Sequence, residues 1–291
     1  EVEGEEQRIK KIKNDPNATY YPEGKLVYIN PNKNFKSPKL RLAWKFNIYA
    51  VSPLSRAHYF VDAGTGELLF VEPIIHNINV PGKAITKYSG TQTITVDSVD
   101  TDSFTLNDLT RGDGVLTYNL QNGTNYNNAV LFTDDDNYWN NFNAAQDEIA
   151  TDAHWATEMV YDYYFSNFNR NSIDGQGFQL RSYLHYSTNY ANAFWNGSEM
   201  TYGDGNANIN PFVSIDIIGH EITHGLTSFT ANLIYASQSG ALNEGFSDIF
   251  GNMVEFYAAP SLASWDMGEA AGYVIRSMSN PKKEGNPDTY G

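Results

Sequence analysis

The chain has 291 residues, 41% of them hydrophobic, enough to bury a sizeable core and to form more than one folded unit. It carries 34 acidic against 19 basic residues; the net charge of −15 opposes nucleic-acid binding, and the absence of cysteine excludes disulfides and thiol chemistry. No stretch approaches the roughly 18 to 20 uninterrupted apolar residues of a membrane span, and the charged start does not read as a signal peptide. The charge is uneven: residues 1–76 hold 11 basic and 9 acidic side chains, and residues 77–291 hold 8 and 25. Two folded units that attract one another fit this division, and so does an ordinary solvated surface.

In chain order, a helix is expected within Glu5 to Lys13. Strands follow at Lys25 to Ile29, Lys39 to Val51 and Ala57 to Val71, the last turning at Asp62-Ala63-Gly64-Thr65-Gly66. Thr86 to Tyr118 is β-rich, with turn chemistry at Arg111-Gly112-Asp113-Gly114. Asn140 to Phe168 reads as a long helix, Leu180 to Tyr186 and Ala193 to Tyr202 as strands, and Gly203 to Asn210 as a loop. Ser214 to Thr230 and Gly240 to Tyr257 read as two further helices. The class is α+β, a β-rich lobe feeding a helical one.

The first of these two helices carries His220-Glu221-Ile222-Thr223-His224. Residues four apart lie about 40° round a helix and about 6 Å along it, so both imidazoles reach one ion. Glu221 sits about 100° further round, beside the ion, where a carboxylate deprotonates water. The second helix offers Glu244 as a third ligand, leaving a fourth position open as in catalytic zinc sites. One turn on, Asp248 is placed to accept the free N–H of a ligating histidine.

These residues resemble the thermolysin family of zinc metallopeptidases. The likeness extends over Asn192-Ala193-Phe194-Trp195-Asn196-Gly197, Tyr202-Gly203-Asp204-Gly205, Gly240-Ala241-Leu242-Asn243-Glu244, Ser247-Asp248-Ile249-Phe250-Gly251 and Arg276-Ser277-Met278. The resemblance implies that His220, His224 and Glu244 bind zinc, that Glu221 activates water and that Asp248 orients His220. It implies that Tyr235 and Arg276 hydrogen-bond an oxyanion, while Asn192 and the carbonyl of Ala193 hold the peptide substrate as an extra strand. Phe212, Ile217, Met267 and Ile275 resemble the apolar pocket for the residue after the scissile bond, favouring cleavage on the N-terminal side of bulky hydrophobic residues. Asp216, Glu255, Asp266 and Glu269 resemble an interior calcium cluster, and Asp134 with Asp136 a weaker surface calcium site. Ser264 stands where two-calcium members carry an aspartate, so one interior ion is expected.

Residues 1–76 resemble the C-terminal half of the family's propeptide, with maturation cleavage expected between His76 and Pro81. Residues 77–291 then form the catalytic domain. The expectation is a secreted endopeptidase precursor that interacts with its own propeptide. Because the sequence stops at Gly291, the C-terminal helical lobe is expected to be missing and activity to be negligible. The alternative is a catalytically silent truncated or zymogen form acting only as a metal-binding or inhibitory module.

Overall fold

The computed structural model describes residues 10–11, 14–19, 21–30, 39–51, 54–73, 78–100, 102–141 and 147–287. Two units are distinguished by their internal contacts, Glu1–Ile78 and Asn79–Gly291. Most of the helix expected within Glu5 to Lys13 lies outside the described residues, as do His76 and Asn77 of the expected cleavage region.

The first unit is an antiparallel four-stranded sheet in the order β1-β2-β3-β4, formed by Lys25–Ile29, Arg41–Val51, Leu54–Asp62 and Leu68–Pro73. The β3–β4 turn is built around Asp62. Its Oδ1 accepts from the backbone N–H of Gly64 and Thr65, and its Oδ2 accepts from Arg41 Nε at 2.9 Å. Those donors hold the carboxyl below the usual carboxylate range, the backbone bonds contributing most.

In the second unit, β5 (Ile78–Ile85), β6 (Thr91–Asp100), β7 (Ser103–Thr105), β11 (Thr133–Asp134) and β12 (Tyr138–Trp139) form a sheet in the order β11-β7-β6-β5-β12. A second sheet runs β10-β9-β13-β15-β14, from β10 (Val130–Leu131), β9 (Val115–Asn119), β13 (Leu180–Leu184), β15 (Met200–Tyr202) and β14 (Ala193–Trp195). The short β8 (Asn107–Asp108) also pairs with β9. The expected run Ala193 to Tyr202 is thus a hairpin, turned by Asn196, whose Oδ1 accepts from the amides of Ser198 and Glu199. Strand β14 forms the end of its sheet, and one of its two sides is not paired with any of the described strands.

Helix α1 (Asp147–Phe168) packs against β6, β9 and β13 and against α2 (Ile215–Phe229). Of the expected span from Asn140, Asn140 and Asn141 are not helical and 142–146 lie outside the described residues. The buried length of α1 carries polar groups as well as apolar ones. His154 is fully buried: Nε2 donates to the carbonyl of Thr95 at 2.8 Å and Nδ1 accepts from Thr117 Oγ1 at 2.9 Å. Burial drives its pKa down to about 4, from an ordinary 6.5. The unfolded ring therefore binds more protons than the folded one between these values. The stability contributed by the neutral ring is complete above pH 6.5 and drains away as pH falls towards 4, about 3 kcal/mol in all. His154→Gln should flatten that part of the stability profile, read as denaturant midpoints at pH 7 and pH 4.5. Equal acid losses in the parent and the variant would clear His154 of the effect.

Helix α3 (Ser237–Ala258) ends just before Pro260, and α2 crosses it at two glycines. A Cβ on Gly219 would sit 2.9 Å from the Cα of Gly251, and one on Gly251 would sit 2.4 Å from the carbonyl oxygen of Asp216. The two main chains therefore touch. The face of α3 turned inward is mostly small or polar, with Gly240, Asn243, Ser247, Asp248, Gly251, Asn252 and Glu255 buried beside the apolar Val254, while Leu242, Phe246, Ile249 and Met253 are exposed.

Candidate metal centre and cleft

Helix α2 positions both histidines. Its apolar face, Ile215, Ile218 and Ile222, is buried in the core, which turns His220 and His224 towards α3. The two Nε2 atoms lie 2.9 Å apart. Glu244 on α3 places Oε2 3.4 Å from His220 Nε2 and Oε1 3.5 Å from His224 Nε2. The expected ligands are thus brought together, with one donor atom from each within 4.8 Å of the others.

The ring tautomers follow from what lies behind them. His224 Nδ1 is 2.7 Å from Asn243 Oδ1 and so carries its hydrogen there, with Ser247 Oγ at 3.1 Å. His220 Nδ1 is 2.8 Å from Asp248 Oδ1, close but off the straight line of a hydrogen bond, so the contact is mainly electrostatic. Both Nε2 lone pairs then face each other and a carboxylate. Such a donor set fits zinc, since two nitrogen lone pairs and an anion at this spacing repel unless a cation lies among them. Burial opposes charge on His220, but Asp248 and Glu244 outweigh it and lift its pKa to about 9. Burial alone would raise Glu244, yet His220 and Tyr235 bring it down to about 2.

Asp248 is itself clamped by Arg276, whose Nε and Nη2 donate to it at 2.6 and 2.7 Å. Nη2 of the same arginine lies 3.6 Å from Glu244 Oε2. The hydroxyl of Tyr235 donates to Glu244 Oε1, so this side chain, expected to face an oxyanion, rests on the third ligand. Glu221 is buried and its Oε2 accepts from the backbone N–H of Trp195 at 2.9 Å. Burial raises its pKa above the ordinary carboxylate value, the direction a general base at neutral pH requires.

These groups line one cleft of about 1030 Å³, together with Asn192, Ala193, Phe212, Ile217, Met267 and Ile275. Two contacts were not foreseen from sequence. Asn243, which fixes the tautomer of His224, was detectable only as the neighbour of Glu244, and the Trp195 amide leaves no trace in a side-chain pattern.

The expected calcium residues are only partly gathered. Asp216, Glu255 and Glu269 repel one another electrostatically, and Asp216 Oδ1 and Glu269 Oε2 are buried without a hydrogen-bond partner among the described residues. Burial raises all three carboxyls, Glu255 to about 8 with Asp216 adding to it. Among the described residues these three carboxyls do not bring one oxygen each within 4.8 Å of one another, as the donors of the zinc set and the Asp134–Asp136 group do. Asp266 has its Oδ2 3.3 Å from Lys283 Nζ, and its charge also acts on Glu269. At the surface, Asp134 and Asp136 come together with Asp135, which the sequence reading passed over.

Fold and site define a metal-binding protein with a base beside the metal position. The family model for the thermolysin metallopeptidase catalytic domain matches residues 81–228, and that for the thermolysin metallopeptidase alpha-helical domain matches residues 231–291. The chain belongs to the thermolysin metallopeptidase family, whose members use catalytic zinc and structural calcium. It is 37% identical to a bacillolysin of Brevibacillus brevis along its whole length, covering 52% of that protein. It is 48% identical to a bacillolysin of Bacillus cereus over 65% of its length, covering 34% of that protein. Among solved structures it resembles the precursor of protealysin, a metalloproteinase from Serratia proteamaculans, with TM-score 0.50 and 35% identity over 57% of this chain and 53% of the other. The chain therefore spans about half or less of these curated relatives' length.

One expectation is corrected. The C-terminal helical lobe is not missing, because the alpha-helical domain matches from residue 231 onward and includes α3. The error arose from counting α3 with the front lobe, although Glu244 and Asp248 are supplied by the helical domain. The negligible activity inferred from that absence loses its basis.

Proposed function

We propose that the protein is a zinc-dependent endopeptidase cutting on the N-terminal side of bulky hydrophobic residues. The observation that carries this reading is the convergence of His220, His224 and Glu244 beside Glu221 in an open cleft. Bound zinc supplies a Lewis acid that polarises the scissile carbonyl and acidifies water. Glu221, raised by burial and held by the Trp195 amide, takes a proton from the attacking water and returns it to the leaving amine. Arg276 keeps Asp248 against His220 and offers its remaining N–H groups to the developing oxyanion; Tyr235 joins it once its hydroxyl leaves Glu244. Asn192 and Ala193, at the edge strand β14, hold the peptide backbone in extended form. Phe212, Ile217, Met267 and Ile275 receive the hydrophobic side chain. The test is hydrolysis of blocked peptides that differ only in the residue after the scissile bond. Cleavage before Leu or Phe, abolished by a chelator and restored by zinc, is expected; cleavage indifferent to chelation would sink the proposal.

The same reading places calcium among Asp216, Glu255 and Glu269, with a weaker ion at Asp134 to Asp136. Withdrawing calcium at saturating zinc should lower the thermal midpoint by several degrees, since uncompensated carboxylate repulsion of about 1–2 kcal/mol returns. An unchanged midpoint would remove calcium from the account. Secretion, and release of residues 1–76 as a propeptide by cleavage between His76 and Pro81, complete the proposal; residues 1–76 are included in the alignment of the whole chain with the Brevibacillus bacillolysin. N-terminal sequencing of protein recovered from the medium tests both.

A further inference from the structure

Strand β13 ends at Leu184, whose carbonyl accepts from Leu120 N–H at 2.9 Å, and the next residue turns into the left-handed region with φ 56°. That residue, His185, is only 4% exposed. Its Nδ1 lies 2.8 Å from Asp204 Oδ1, and because an ionised carboxylate only accepts, the ring nitrogen carries the hydrogen. The ring packs edge-on against Phe132, so it has little freedom to follow Asp204 elsewhere.

The backbone on both sides of Asp204 holds the walls of the cleft. Gly203 N–H donates to the carbonyl of Asn192 at 3.0 Å, and Gly205 N–H to that of Tyr190 at 3.1 Å. Gly203 in turn accepts from the Phe212 amide at 3.2 Å. The approach is main chain on main chain: a Cβ on Gly203 would fall 2.0 Å from Tyr190 O, and one on Gly205 would fall 2.0 Å from Ile209 O. Asn192 immediately precedes the strand offered to the peptide backbone, and Phe212 lines the hydrophobic pocket. One three-residue segment therefore carries both, and the only side chain within it is Asp204.

We propose that the His185–Asp204 pair is a latch that fixes the Gly203–Gly205 segment to the end of β13 and so sets the spacing between the substrate-holding strand and the pocket wall. Both are positioning residues, and their catalytic consequence rests on the endopeptidase reading above. Losing the pair frees the segment to shift, which weakens substrate binding and leaves the zinc ligands on α2 and α3 in place.

The test compares His185→Ala, Asp204→Ala and His185→Asn, the last keeping an N–H donor near the position of Nδ1. KM for a hydrophobic peptide should rise roughly tenfold in the two alanine variants, the equivalent of one charge-assisted hydrogen bond, with kcat and zinc content near parental values. His185→Asn should recover most of the loss. Amide hydrogen exchange over residues 202–212 should quicken in His185→Ala while α2 keeps its protection. A merely structural role would lower the active fraction, and hence apparent kcat, without moving KM; that result would overturn the latch, as would unchanged exchange over 202–212. If the parent hydrolyses no peptide, the endopeptidase reading fails, and the exchange measurement still decides the latch.

Discussion

Glu221→Gln should retain zinc and lose turnover by about 10³-fold or more, within the range a well-placed general base supplies. Glutamine matches glutamate in size, and its amide oxygen still accepts from the Trp195 N–H that now holds Oε2 at 2.9 Å. The fold around position 221 is thus preserved. What disappears is the group that takes a proton from water and delivers it to the leaving amine. Because Glu221 is not one of the three converging donors, metal content should stay at the parental level. Parallel metal analysis and peptide hydrolysis separate the two quantities. A variant cleaving at the parental rate would show that the proton moves by another route.

His224→Ala should cost zinc itself. Removing this ring leaves His220 Nε2 and Glu244 as the nearest donors, with Asn243 and Ser247 facing an empty volume. Since loss of a partner behind a ligand commonly weakens metal binding 10- to 100-fold, loss of the ligand should exceed about 100-fold, with activity falling to background. Asn243→Ala, which leaves the ring but frees its tautomer, should fall within that 10- to 100-fold range. The ordering of the two variants is as informative as their size. Zinc content that is unchanged in His224→Ala would mean that the ion binds elsewhere.

The motif on α2 was legible because its geometry is local: four residues on one helix need no knowledge of the rest of the chain. Glu244 and Asp248 were legible by their helical spacing and by family resemblance. The partner of His224 was not, because whether Asn243 or another residue meets Nδ1 depends on how closely α2 and α3 cross. The same dependence governs the calcium residues, where the order along the chain does not tell that Lys283 Nζ lies 3.3 Å from Asp266 Oδ2. The strands of both units fell near their expected places, since alternation and turn residues are local signals as well. The assignment of α3 to the wrong domain had another cause. A helix with a mostly small or polar inner face and exposed Phe246 and Ile249 gives no periodic hint of which body it belongs to.

The glycine crossing of α2 and α3 has a consequence for how mutational scans of this protein should be interpreted. With main chain resting on main chain at Gly219 and Gly251, there is no layer of side chains to absorb an added atom, so even alanine must push the helices apart. The distance from the histidines to Glu244 would widen with them. Intolerance at 219 and 251 would then match that of the ligands themselves, although neither glycine bears a functional group, and an activity screen alone would count spacers as chemistry.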